Sequence, residues 1–457
     1  MKSSFSDPLE FTMVSIKEWF KDNRIVEVEA IVPDASGVAR GKIVPAEKYS
    51  QENGMRLPEG IFLQTVAGDF PDEYYDETIK TDGDIILRPD TDTICLVPWA
   101  TEPTAQLIHD AYHHDGRPVD IAPRYVLKRV LKLYEEKGWK PVVAPELEFF
   151  LVKPNTDSDY PLEPPVGRSG RPEAGRQSYS IDAVNEFEPL VEDVYNYCEK
   201  QGLEIDTLIH EAGAAQLEIN LLHGDPLTLA DQAFRFKRTM REAAMRHSMY
   251  ATFMAKPMQS QPGSAMHIHQ SVVDVETGKN IFSQDNGQPS MLFHSYVAGL
   301  QKYTPEVLAM LAPNVNSYRR LGPMSGAPVN TNWGYDNRTA AFRVPMASPE
   351  ARRVENRLPG ADANPYLAMA ATLICGYLGM VEELNPTQPS DAHLGATSDD
   401  LPQTLNEALR LFYASETMRE VLGDRFVEAY RAVKHAEYLT FWQVISSWER
   451  EYLLLNV

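Results

Sequence analysis

No stretch of this sequence approaches 18 consecutive apolar residues, which excludes a membrane-spanning helix of ordinary length. The leading MKSSFSDPLEF also lacks the apolar centre of a signal peptide, so the expected location is the cytoplasm, with no membrane partner. Cysteine is scarce. Cys95, Cys198 and Cys375 stand far apart with no CxxC spacing, so neither a disulfide framework nor a zinc knuckle is expected, and Cys375 reads as core. Basic residues are outnumbered, 43 against 65 acids, for a net charge of -22. Nucleic acid needs a basic surface and is not an expected partner. Steering instead favours small cationic substrates. Neither GxxxxGK followed by Ser or Thr nor GxGxxG occurs, so a nucleotide site of P-loop or Rossmann type is excluded.

What remains is an ordinary globular composition in 457 residues, enough for a small and a large domain. RIVEVEAIVPDASGVARGKIV (24–44) alternates apolar residues about a DASG turn and reads as a β-hairpin after a short helix at 12–23. DIILRPDTDTICLVPW (84–99) reads as a second strand pair about PDTD. Residues 12–110 thus form a small, mostly-β unit, followed by a linker at 109–120 and a large unit over 120–457. PRYVLKRVLKLYEEKG (123–138) is an amphipathic helix with Val126, Val130, Leu131 and Leu133 inward and Gly138 as its stop. Further helices are expected at 186–201, 225–247, 292–310, 362–383 and 402–413, and over the apolar C-terminus 441–457. A basic, glycine-rich loop, GRSGRPEAGR, occupies 167–176.

Four segments place acids or histidines at strand spacing, where residues i and i+2 share a face. WKPVVAPELEFFLV puts Glu146 and Glu148 on one face of an apolar strand. Unless the strand end meets solvent, two buried like charges require a cation. In LIHEAGAAQLEINLL a turn at AGAA brings Glu211 and Glu218 onto neighbouring strands. SAMHIHQSV pairs His267 with His269, either as ligands or as core histidines. In ARRVENRLPG, Glu355 lies among Arg352, Arg353 and Arg357 and by itself reads as an ion-pair network. Five carboxylates with one or two imidazoles and no thiolate suit Mg²⁺ or Mn²⁺ rather than zinc. Arg320, Arg338, Arg343, Arg353 and Arg357 add forks for carboxylate or phosphate. Hard cations with phosphate-gripping arginines are the components of phosphoryl transfer.

These segments, with KPMQSQPGSAMHIHQS, NSYRRLGP…APV, NRTAAFRVP and ARRVENRLPGADANPYLA, occur in the order found in glutamine synthetases of the bacterial type, which the chain resembles over most of its length. Its WGYDNRT segment is similar to that of the γ-glutamylpolyamine (γ-glutamylputrescine) synthetase branch. The resemblance implies an α+β fold: a small N-terminal β-grasp-like domain and a large catalytic domain with a curved antiparallel sheet flanked by helices. It implies two or three Mg²⁺ or Mn²⁺ ions per site, with ATP as co-substrate. One metal would be held by Glu148, Glu211 and Glu218, another by Glu146, His267 and Glu355. His269, Ser271 and Arg353 match residues at the nucleotide. Arg338 and Arg343 match catalytic phosphate-binding arginines. Gly263, Arg320 and Arg357 match the glutamate site. A homo-oligomer of hexameric rings, stacked as a dodecamer, is also implied.

The sequence departs from that pattern at Gly326, where ammonia-using relatives carry a glutamate. An acid suits bare ammonium, whereas glycine leaves room for a carbon tail. The expected reaction is therefore ATP-dependent ligation of the glutamate γ-carboxylate to a primary alkylamine, a polyamine such as putrescine or a monoamine, through γ-glutamyl phosphate. The alternatives are an ammonia-using glutamine synthetase or a catalytically inactive relative. Pro262 and Glu350 replace an asparagine and a lysine of the pattern. The segment 384–405 lacks the tyrosine that carries adenylylation in regulated relatives, so that control is expected to be absent. Trp333 and Tyr335 read as lining for an apolar tail or as core. Asp69, Asp72, Glu73, Asp76 and Glu77 are candidates to receive the amine's ammonium across a subunit interface.

Overall fold

The computed structural model describes residues 16–52, 54–71, 82–174, 176–322, 326–391 and 400–457. A helix runs from residue 16, and the start expected at 12 lies outside the described residues. The N-terminal strands are β1 (Glu27–Pro33), β2 (Ala39–Pro45), β3 (Met55–Pro58), β4 (Asp84–Pro89), β5 (Cys95–Leu96) and β6 (Thr104–Tyr112). They form a sheet of order β2-β1-β6-β4-β3, with β5 also on β6. β1 and β2 make the hairpin expected at 24–44.

The strand pair expected about PDTD does not form. β4 and β5 do not pair with each other, because each pairs with β6, which lies parallel to β1. Asp90 caps a short 3₁₀ turn there instead, its side chain accepting from the Asp92 amide. The polar stretch expected to be a linker begins inside β6, whose His109 is fully enclosed and bonded to the Tyr49 hydroxyl at 2.7 Å. An alternating pattern marks strands but does not name their partners.

The second sheet carries β7 (Trp139–Val152), β8 (Ile205–His210), β9 (Gln216–Leu221), β10 (Tyr250–Thr252), β11 (Met266–Asp274), β12 (Trp333–Tyr335), β13 (Phe342–Val344) and β14 (Val354–Asn356). Its order is β12-β13-β14-β11-β7-β9-β8, with β10 also on β7. All pairings are antiparallel except β12 with β13. Helices pack around this sheet, making the chain α+β. The helix Pro123–Glu135 buries Val126, Leu127, Val130 and Tyr134, with Leu131 and Leu133 at the edge of that stripe. The helices Met291–Leu311 and Pro365–Val381 approach unusually closely. A Cβ on Gly299 would lie 2.2 Å from the Cys375 carbonyl oxygen, and one on Gly379 2.1 Å from that of Ser295. Only glycine permits that contact.

The expected C-terminal helix over 441–457 is two helices, Asp424–Trp442 and Ser447–Leu453. Ser446 starts the second with a capping box to Glu449. The first crosses back to the small sheet, where Ala429 and Val433 join its core.

The small sheet is also joined by charge to the helices around the second sheet. Arg124, 3% exposed, donates to Asp231 (3.0 and 2.8 Å), to Asp110 (2.7 Å) and to Asp90 (2.6 Å). The Tyr366 hydroxyl donates to Asp231 at 2.6 Å. Removing the shared cation strands three carboxylates. Arg124→Met is expected to cost about 3–5 kcal/mol, read as an earlier denaturant transition. An unchanged transition would show that the network does not hold the units together.

Candidate metal and phosphoryl-transfer site

The register of five strands assembles the site. Residues directly opposite each other across a ladder share a face, as do residues i and i+2 along a strand. Glu146 on β7 is opposite His267 on β11, and Glu148 is opposite Glu218 on β9. His269 on β11 is opposite Glu355 on β14, which is opposite Arg343 on β13. One face therefore carries Glu218, Glu148, Glu146, His267, His269, Glu355 and Arg343. Ser271 continues it two residues beyond His269. Between these residues, Leu147, Phe149, Met266 and Ile268 point into the hydrophobic core. A slip of one residue would exchange the two sets, so core burial holds the register.

Glu211 follows β8, its amide bonded to the Gln216 carbonyl across the turn at 2.8 Å. Three groups of three side chains offer ligand atoms within 4.8 Å of one another: Glu148, Glu211 and Glu218; Glu146, Glu218 and His267; Glu146, His269 and Glu355. The first is the trio that the resemblance implies. The implied trio Glu146, His267 and Glu355 is divided between the other two, although His267 Nδ1 lies 3.3 Å from Glu146 and 3.8 Å from Glu355. His269, which the resemblance assigns to the nucleotide, thereby stands among the possible ligands as well. In this arrangement Glu146 accepts from His269 Nε2 at 2.9 Å.

Burial, with the charges of Glu146, Glu148 and Glu211 beyond it, pushes the Glu218 carboxyl up to about 9. Burial and the Glu211 charge push Glu148 up to about 8. For Glu146 burial is outweighed by hydrogen bonds from His267 and His269, which hold it low. For Glu355 burial is outweighed by the Arg357 charge, giving about 2. Burial and the Arg357 charge lower His267 to about 4. Oxygen-rich groups under mutual repulsion, which a hard cation would relieve, fit Mg²⁺ or Mn²⁺.

Two cavities flank the row. One, of ≈ 450 Å³, is lined by Glu146, His269, Ser271, Glu350 and Arg353, among others. The other, of ≈ 410 Å³, is lined by residues including Glu148, Glu211, Gly263, Arg320, Gly326 and Arg357. Arg353 Nε meets His269 Nδ1 at 3.2 Å. Arg343 joins Glu355 (2.8 Å) to Asp336 (2.6 Å), a residue at φ +47°. Arg338 is exposed, and its charge reaches Glu211. Arg357 also pairs with Glu355, while its buried Nε has no partner among the described residues.

Arg320 is 3% exposed and spends two donors on the carbonyls of Leu358 and Arg357, each at 2.8 Å. Its stem fills the space beside Gly263, where a Cβ would lie 2.6 Å from Arg320 Cγ. Gly326 has φ +81°, and among the described residues nothing lies within 4 Å of where a Cβ would stand. Trp333 is buried against Phe293 and His294, and Tyr335 is exposed; neither lines the cavity beside Gly326. Asp69 sits on an exposed turn, and Asp72, Glu73, Asp76 and Glu77 lie outside the described residues, as do 392–399 of the segment 384–405.

Sequence reasoning missed the supports of the site. Gln216 donates to the Gly263 carbonyl at 2.9 Å, and the Ala265 amide donates to Glu148 at 2.9 Å. Gln216 stands inside the HEAGAAQLEIN segment, so only its role went unread. Asp336 likewise stands inside WGYDNRT, whereas Glu173, in the loop 167–176, lies in none of the family segments.

The raised carboxyls have a consequence for stability. A folded-state pKa near 9 against 4.5 means that folded Glu218 holds a proton the unfolded chain has lost, so stability falls as pH rises between those values. In chelator, Glu218→Gln is expected to be more stable than the parent at pH 8. The gain should shrink towards pH 5 by at most about 1.4 kcal/mol per pH unit. A gain independent of pH would show that Glu218 is not strained by charge.

The family model for the glutamine synthetase catalytic domain matches residues 120–453. The chain is 36% identical over 441 residues to gamma-glutamylputrescine synthetase PuuA of Escherichia coli (strain K12), covering 94% of this chain and 92% of that protein. It is 33% identical over 450 residues to glutamate–isopropylamine ligase of a Pseudomonas species, covering 96% of each. It is 31% identical over 449 residues to glutamine synthetase of Pyrococcus abyssi, covering 93% and 95%. Among solved structures, ligand-free GmaS superposes with a TM-score of 0.80 at 28% identity, covering 95% of this chain and 98% of that one. A sheet face carrying acids, histidines and arginines in this register, matched over nearly the whole length of these proteins, places the chain in the glutamine synthetase family.

Proposed function

We propose that this chain is an ATP-dependent glutamate–amine ligase. It would phosphorylate the γ-carboxylate of glutamate and pass the γ-glutamyl group to a primary alkylamine. The observation that carries this reading is Gly326. It lines the cavity on the Glu148 side of the acid row, with nothing among the described residues within 4 Å of its Cβ position. A glutamate there would suit ammonium; open, uncharged space suits an amine bearing carbon. Two relatives whose names denote ligation of glutamate to amines support the same choice.

A carboxylate resists nucleophiles because its own charge repels them. Conversion to an acyl phosphate supplies a leaving group. Mg²⁺ or Mn²⁺ bound by Glu146, Glu148, Glu211, Glu218, His267 and Glu355 would neutralise charge on the transferring phosphoryl group. His269, Ser271 and Arg353 would hold ATP in the cavity on the Glu146 side. Arg338 and Arg343 would stabilise the phosphoryl oxygens. Gly263, Arg320 and Arg357 would hold glutamate, with Arg320 fixing the Arg357–Leu358 backbone as well.

The family resemblance implies stacked hexameric rings, and the C-terminal helices support burial against another copy. Trp442, Trp448 and Leu455 are 72%, 60% and 90% exposed, and soluble monomers seldom present such a surface. No helix among the described residues is long and apolar enough to cross a membrane.

Phosphate release measured with ATP, glutamate, Mg²⁺ or Mn²⁺ and a panel of amines that includes ammonium tests the reading. A primary alkylamine is expected to give the highest kcat/KM; ammonium in first place would overturn it. Arg338→Ala or Glu148→Gln is expected to lower kcat/KM with that amine by two orders of magnitude or more, about 3 kcal/mol. A loss under tenfold would remove the residue from the reaction.

A further inference from the structure

We propose that Glu173, the acid within the basic loop 167–176, is a positioning residue that braces the hairpin turn carrying Glu211. The proposal rests on the assignment of Glu211 to the metal site.

The turn between β8 and β9 is awkward to hold. Ala215 adopts φ +55°, a left-handed conformation that non-glycine residues enter only when their surroundings enforce it. Three successive amides of the turn are each held by a side chain rather than by the strand ladder. Gly213 donates to Gln216 Oε1 at 2.9 Å, Ala214 to Gln261 Oε1 at 3.1 Å and Ala215 to Glu173 Oε2 at 2.8 Å. Gln216 lies on the hairpin itself. Gln261 and Glu173 reach in from distant parts of the chain.

Glu173 does more than cap one amide. The same Oε2 accepts from His210 Nε2 at 3.0 Å, and His210 Nδ1 bonds the Glu211 carbonyl at 2.7 Å. One oxygen thus grips the turn before and after Glu211, at His210 and at Ala215. The His210 side chain is fully enclosed, so its ring cannot exchange these partners for water. The other oxygen, Oε1, is buried without a partner among the described residues. Leaving a carboxylate oxygen unsatisfied is costly, and the loop retains that cost at the point where the turn is braced. Backbone positions set by these bonds determine where the Glu211 carboxylate meets Glu148 and Glu218. Groups that orient ligands from outside the coordination sphere alter metal affinity by roughly 10–100-fold when lost.

The test is Mn²⁺ binding to the full-length protein without nucleotide, followed by the spectroscopic signal of free Mn²⁺, beside steady-state kinetics. Glu173→Ala is expected to raise the Mn²⁺ Kd about tenfold or more and to lower kcat, with the glutamate KM changing much less. Glu173→Gln keeps an acceptor oxygen at the same reach and should recover most of the Mn²⁺ affinity. Should the alanine variant not fold, Glu173→Asp withdraws the oxygen by one methylene and is expected to weaken Mn²⁺ binding at unchanged Tm. A folded Ala or Asp variant that binds Mn²⁺ as the parent does would overturn the proposal, as would a Gln variant no better than Ala. Because the readout involves no amine, it is independent of which amine is used. Unchanged Mn²⁺ binding by Glu211→Ala would instead sink the metal assignment beneath it.

Discussion

Crowded negative charge on one face of a buried sheet is the constraint around which this molecule is arranged. Glu146, Glu148, Glu211, Glu218 and Glu355 stand close enough to raise some of one another's carboxyls well above the ordinary range. Such a cluster disfavours folding unless charge of the opposite sign is brought near. The surroundings relieve part of it: the charges of Arg343 and Arg357 on Glu355, and hydrogen bonds from His267 and His269 to Glu146. The Glu148–Glu218 end receives least and keeps the most strongly raised carboxyls. That imbalance marks where a divalent cation would gain most by binding.

The acid row also divides space. A cavity lies on each side, one bordered by His269, Ser271 and Arg353 and the other by Gly263, Arg320 and Gly326, so cations held by the row would be reachable from opposite directions. Phosphoryl transfer needs that geometry, because donor and acceptor must be nearly in line across a neutralised centre. The helices and the small sheet serve it indirectly. They bury the reverse face of β7 and β11, and a buried reverse face prevents the register from slipping.

Much of the precision comes from side chains that hold backbone or other side chains in place. Gln216, Gln261 and Glu173 hold turns through their amides; Asp336 aligns Arg343; Arg320 grips two carbonyls. Arg320 is instructive because a buried guanidinium with two backbone acceptors has a structural task whatever else it binds. Several of these groups sit in loops or at left-handed positions, where secondary structure alone would leave the chain loose.

The family resemblance implied the α+β class; the sequence by itself determined most helices, the pairing of Glu146 with Glu148 and of His267 with His269, and the bareness at Gly326. These are local properties: period two on strands, period 3.6 on helices, and the presence or absence of a charge. Only the tertiary structure decided which strands are neighbours. It sent β4 and β5 to β6 rather than to each other, and placed His269 beside Glu355 and Glu146 across two ladders. It likewise brought Glu173, in a loop that reads as basic, to the amide of Ala215, 42 residues onward. Periodicity tells a side chain which face to take. Its partner on that face is set by long-range burial, whose free energy depends on the whole core and leaves no local trace.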